Sequence, residues 1–181
     1  MKREIQEKLE EAFAGLPLVQ YAWISAGEIP FSEKVRSICS RECPRYGTSW
    51  ACPPGVGTVE ECRRQCSVFK EAFVFTTIAE VNDVENMEET LATRGAHEEI
   101  TRSVAAILKR YMTHTMALSA ESCAICETCA YPDAPCRFPE KMIPCMEGYG
   151  ILVPTLAERA GIEFVNGSNL VTWFGIVLFT E

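Results

Sequence analysis

The sequence predicts an α+β fold: one domain over residues 1–181, a mixed sheet with flanking helices, and two cysteine-rich metal-binding loops. Three observations predict it. Stretches with apolar residues every three or four positions are interspersed with short β-branched and aromatic runs. The helical stretches differ widely in length, which suits an α+β arrangement. The ten cysteines fall in the connections, in two groups of five.

Residues 2–14 place Ile5, Leu9 and Phe13 at helical spacing, with Gly15 and Pro17 as stop signals. Residues 19–24 read as a strand, and a loop bearing Pro, Gly and Ser leads from it into the first cysteine group. Thr58 and Glu61 have the spacing of a capping box, which puts Cys62 and Cys66 one turn apart on one face of a short helix. Residues 69–81 contain Ala-Phe-Val-Phe-Thr-Thr-Ile, the composition of a buried strand.

From 83 to 113 the pattern turns helical through Met87, Leu91, Ile100, Val104, Leu108 and Tyr111, with Gly95 as the expected break or kink. Residues 116–119 form a short strand that delivers the chain to Cys123, a rigid mount for a metal loop. A helix over 151–160 has Pro154 in its first turn and Gly161 as its stop. Strands over 162–165 and 171–179 are expected to meet around Asn166 and Gly167.

Composition narrows the function classes. A hydrophobic content of 48% excludes general disorder. No apolar stretch approaches the roughly 20 residues that a bilayer requires, so no membrane partner is expected. The amino terminus is charged and helix-like rather than an apolar signal sequence, so the expected compartment is the cytoplasm and a disulfide framework is disfavoured. A net charge of −8 argues against a nucleic-acid partner, and Arg63-Arg64 and Lys109-Arg110 read as solvated helix faces. No nucleophile–base pair, phosphate-cradling glycine loop or paired carboxylate motif stands out. His97 and His114, the only histidines, read as helix-surface or core residues.

The cysteines therefore carry the chemistry. The second group is Cys123, Cys126, Cys129, Cys136 and Cys145. Its C-x2-C-x2-C triplet lets three thiolates converge from one short loop, which is iron–sulfur spacing, and Cys136 or Cys145 supplies the fourth ligand. The first group is Cys39, Cys43, Cys52, Cys62 and Cys66. Cys43-x8-Cys52-x9-Cys62 matches Cys129-x6-Cys136-x8-Cys145, a weak internal repeat that suggests two sites of four ligands with one cysteine to spare in each group.

Pro44, Pro53, Pro54, Pro135, Pro139 and Pro144 stiffen these loops and lower the entropic cost of gathering thiolates. Gly47 and Gly55 can admit backbone donors to a cluster, Arg137 and Lys141 can offset its charge, and Tyr46 and Trp50 can shield it. Each of these has a plainer reading as turn geometry, surface charge or packing.

Three segments carry a family resemblance: Cys43-Pro-Arg-Tyr-Gly-Thr-Ser-Trp-Ala-Cys52-Pro-Pro, Cys129-Ala-Tyr-Pro-Asp-Ala-Pro-Cys136-Arg-Phe-Pro, and Pro144-Cys145-Met-Glu-Gly-Tyr-Gly150. With them the chain resembles an uncharacterised family of small cysteine-rich proteins, common in anaerobes and methanogens and described as predicted metal-binding. The resemblance implies a metal or iron–sulfur centre. The residues themselves favour one or two [4Fe-4S] clusters that pass single electrons to a redox partner protein or a small bound cofactor. The alternative is zinc held in four-cysteine sites of a binding or scaffold module, and a third reading is a metal carrier or sensor.

Overall fold

A computed structural model describes residues 1–121 and 123–181. The helices are α1 (Arg3–Phe13), α2 (Glu33–Glu42), α3 (Val59–Cys66), α4 (Met87–Ala92), α5 (Arg94–Leu108) and α6 (Val153–Ala160). The strands are β1 (Gln20–Ser25), β2 (Glu71–Glu80), β3 (His114–Ser119) and β4 (Leu170–Thr180). They lie in the order β1-β2-β4-β3, and every neighbouring pair is antiparallel.

The expected mixed sheet is thus corrected to an antiparallel one. β2 and β3 do run the same way, with α4 and α5 between them in sequence as in a crossover. β4 inserts between the two and opposes both, as in a split βαβ unit.

The two central strands are covered on both faces, which is why they read as continuous apolar runs. Along β2, Phe73 and Phe75 face α1 and α5, while Ala72 and Val74 face the other side. The first side joins Leu9 and Phe13 of α1 to Val104 and Leu108 of α5, and Phe13 stacks on Phe73 at 4.7 Å between centroids. The second side packs Cys62 and Cys66 of α3 and Leu156 and Ala157 of α6 against β2 and β4. Gly175 pairs with Phe75, and a Cβ there would lie 2.3 Å from the Phe75 ring, so glycine gives that ring its place. No helix among the described residues is long and apolar enough to cross a membrane.

Most expected elements form within a residue or two of their limits, including the capping box: Glu61 N–H donates to Thr58 Oγ1 at 3.2 Å and Thr58 N–H to Glu61 Oε2 at 2.8 Å. Three differ. The long helical stretch divides at Thr93, and Gly95 lies inside the first turn of α5. There the Trp173 indole N–H donates to Thr93 Oγ1 at 2.8 Å, a tertiary bond that no local pattern announces. Residues 33–42, expected as loop, form α2, capped where Lys34 N–H donates to Ser32 Oγ at 3.2 Å. α2 has no buried residue, so its apolar periodicity is weak. Arg36 fastens it, donating to Gly57 O at 2.7 Å and also to Gly148 O.

The expected strand over 162–165 does not form. Ile162 N–H closes onto Ala157 O at 2.9 Å behind the left-handed Gly161, and Asn166 Nδ2 donates to Thr172 Oγ1 at 2.9 Å. β4 gives one edge to β2 along nearly its whole length and the other to β3. That leaves little edge for a hairpin partner.

Candidate metal centre

All ten cysteines lie on two excursions from the sheet, residues 26–70 between β1 and β2 and residues 120–169 between β3 and β4. The excursions are stitched together. Ser32 N–H donates to Gly150 O at 2.7 Å, and Leu152 N–H to Pro30 O at 2.9 Å. Nearest the thiols, Cys145 N–H donates to Ala51 O at 2.9 Å, while Ser119 at the end of β3 bonds Pro144 and Met146 on either side of Cys145. That ladder draws Cys145 out of its sequence group and sets it beside Cys52.

The first cavity, about 180 Å³, is lined by Cys123, Cys126, Cys129 and Cys136 together with Arg45 and Arg94. Its loop is tied from several directions. Ala124 N–H donates to Glu98 Oε2 on α5 at 2.9 Å, Trp50 Nε1 donates to Ala134 O at 2.9 Å, and Arg137 Nη1 donates to Thr128 O at 2.8 Å. Trp50 also meets Tyr131 edge-on at 4.8 Å, so this aromatic packs over the loop of the other excursion. Burial pushes the Cys123 thiol up to about 11, against a backbone N–H from Ile125. Burial also acts on Cys129, but N–H groups of Tyr131, Trp50 and Ala130 with the Ser49 hydroxyl hold it below its ordinary value.

The second cavity, about 320 Å³, is lined by Cys39, Cys43, Cys52 and Cys145 with Glu121 and Glu147. Ile38, Leu152 and Phe164 give it an apolar wall. Cys39 and Cys43 stand one helical turn apart at the end of α2 and touch each other; burial, aided by Cys43, pushes Cys39 up to about 12, and burial also raises Cys43. A hydrogen bond with Cys145 lowers Cys52 against burial, helped by the charge of Arg45. The same bond, with burial, raises Cys145 well above the usual thiol range. Cys145 Sγ donates to Glu147 Oε2 at 3.1 Å and accepts Gly148 N–H at 3.4 Å. Glu121 is held at φ 48°, a conformation that non-glycine residues rarely adopt. Gly55 closes the Cys52 turn, where a Cβ would lie 2.9 Å from Ser49 O.

Cys62 and Cys66 line neither cavity. They share a face of α3, as their spacing predicts, but that face packs into the core, where burial raises both thiols. The repeat that equated Cys62 with Cys145 therefore does not describe the spatial division, which is Cys39/Cys43/Cys52/Cys145 and Cys123/Cys126/Cys129/Cys136. Lys141 sits over the Phe138 ring, 5.8 Å from its centroid. His97 is buried between the hydroxyls of Thr77 and Thr101, and burial lowers it to about 4, so it is a neutral core residue far from a ligand's role. His114 lies on β3.

Sequence reasoning missed Arg45, Arg94, Glu98 and Glu121. Arg45 alone had a signal, standing inside the Cys43 to Cys52 segment; Arg94 lines the first cavity from α5 and Glu121 the second from the end of β3, while Glu98, whose pairing with Glu99 reads as a solvated helix face, is buried and acts through Ala124 N–H.

Among the described residues no three His, Cys, Asp or Glu side chains close on a point as the ligands of one metal ion do. The eight thiols instead ring two spaces. Arg45 Nε and Arg94 Nε are buried without a hydrogen-bond partner among the described residues, so the triplet's cavity presents unpaired cationic donors as well as four thiols. That donor set fits an anionic, thiolate-ligated group. No two cysteines are joined as a disulfide among the described residues.

Comparison with curated proteins and with solved structures finds no match. A family model does match, over residues 22–179, which takes in every cysteine and all of the sheet except Gln20, Tyr21 and Thr180. The protein belongs to the family described as predicted metal-binding protein (DUF2284).

Proposed function

We propose that this metal-binding protein is an iron–sulfur electron carrier with two [4Fe-4S] clusters, one on Cys123, Cys126, Cys129 and Cys136 and the other on Cys39, Cys43, Cys52 and Cys145. The observation that supports it is the division of eight cysteines into two four-thiol cavities, one of which carries the C-x2-C-x2-C triplet. Thiols set around a space rather than around a point suit a polynuclear group. When bound, such a cluster takes up and gives back one electron.

The chain's own residues supply the rest. Backbone N–H groups two residues beyond Cys43, Cys123 and Cys129 bond those sulfurs, and N–H donors of this kind raise a reduction potential. Arg45 and Arg94 offset charge at the triplet's cavity, and Trp50 with Tyr131 covers its loop. Thiolate ligands of this kind suit a reducing compartment, the cytoplasm. The partner is a redox protein that accepts the single electron.

Protein purified without oxygen tests the reading. Iron, acid-labile sulfide and zinc are measured per chain, with electron paramagnetic resonance before and after dithionite. About eight iron and about eight sulfide, with a signal that appears on reduction, is the expected result. Stoichiometric zinc without labile sulfide overturns it in favour of four-cysteine zinc sites.

A further inference from the structure

Arg45 occupies a place that neither the triplet nor its spacing accounts for. Its Nη2 donates to Cys123 O at 3.0 Å, so it reaches from the first excursion onto the second at the start of the triplet. Its guanidinium lines the cavity of Cys123, Cys126, Cys129 and Cys136. Two residues before it stands Cys43, whose sulfur accepts the Arg45 backbone N–H, and its side chain also hydrogen-bonds Cys52; both thiols belong to the other cavity. Its Nε is buried and unpartnered among the described residues. One fixed positive charge thus stands against both sets of thiols. Arg94 offers a contrast: it lines only the triplet's cavity and arrives from α5.

We propose that Arg45 is an electrostatic bridge that sets the reduction potentials of both centres at once, an inference that rests on the iron–sulfur reading above. The physical basis is Coulombic. Each reduction adds one electron, and so one negative charge, to a centre beside the guanidinium. A nearby cation stabilises the reduced form more than the oxidised one and moves the potential upward. No bond in the protein forms or breaks; the electron comes from a one-electron reductant. An arginine suits the position because its planar fork donates in several directions while its charge does not titrate. It also holds the Cys123 carbonyl, so the two excursions keep a fixed spacing through the same side chain.

The test is a redox titration of the intact, anaerobically prepared protein with dithionite, followed by electron paramagnetic resonance. Cys136→Ser and Cys145→Ser serve to assign each couple to its cavity. Arg45→Gln is expected to shift both couples to more negative potential, each by tenfold or more in its reduction equilibrium, about 59 mV for one electron. Arg45→Lys restores most of the shift, and Arg94→Gln moves the triplet's couple alone. Should Arg45→Gln lose iron, Arg45→Met, which removes the charge and keeps much of the side-chain bulk, carries the test by the same shift of both couples. An Arg45 variant without the positive charge that keeps both centres but moves one couple or neither overturns it. Absence of labile sulfide from the wild-type protein overturns the parent reading and the bridge with it, whereas intact centres that ignore Arg45 sink only the bridge.

Discussion

Replacing Glu98 by Ala isolates what holds the triplet in place. The Glu98 side chain is 2% exposed, its Oε2 accepts Ala124 N–H at 2.9 Å, and the same oxygen lies 3.3 Å from Arg102 Nη1. A hydrogen bond to a charged group contributes about 1.5–3 kcal/mol. Breaking a fully buried ion pair costs about 3–5 kcal/mol, but Arg102 is 22% exposed and keeps Glu99 at 2.8 Å, so the smaller scale governs. The expected loss is about 2–3 kcal/mol. For a chain of this size that lowers the melting temperature by about 4–12 °C. Glu98→Gln retains an acceptor for Ala124 N–H and is expected to lose roughly half as much.

Glu99→Gln is the control, since its carboxylate is 75% exposed and pairs with the same arginine. Circular dichroism melts of metal-free protein read the stability, and the rate at which a chelator strips the triplet's metal reads the loosening of its loop. A Glu98→Ala variant melting within about 1 °C of wild type, or a Glu99→Gln variant as costly, refutes the anchoring of the loop through α5.

Cys136→Ser is expected to abolish the spectroscopic signal of one centre and Cys145→Ser that of the other; loss of the same signal from both variants would refute the division of ligands. Cys66→Ser leaves metal content unchanged but buries a hydroxyl in the core, at a cost of about 1–3 kcal/mol in urea unfolding, and a loss of metal instead would make α3 a source of ligands. His97, lowered to about 4 by burial, takes up its proton more readily in the unfolded chain. Its contribution is therefore complete above the unfolded value near 6.5 and is lost as pH falls toward 4, by about 3 kcal/mol in all. Metal-free His97→Gln protein should lack that part of the acid slope, and an unchanged slope would falsify the assignment.

Local signals read well where one short-range cause acts. The Thr58 capping box, Pro154 in the first turn of α6, Gly161 at its end and the apolar spacing of α1 all act within a few residues, and each appears in the structure as expected. α2 was illegible because Arg36, rather than an apolar stripe, fastens it. The strand over 162–165 was misread because Asn166 and Gly167 resemble a hairpin turn. Whether a hairpin forms depends on a free edge of β4, and β2 and β3 take those edges.

The sequence by itself determined that the cysteines cluster in the connections, that three of them share one tight loop, and that the chain alternates helices with strands. Spacing decides these matters, because residues three or four apart are held close by the backbone whatever the rest of the chain does. Only the tertiary structure decided the partition. Cys145, 93 positions beyond Cys52, meets it through the Ala51 and Ser119 hydrogen bonds, whereas Cys62 and Cys66, near in sequence, turn into the core. Hydrogen bonds between the two excursions form only after the sheet has set their origins, so no interval between cysteines can encode them.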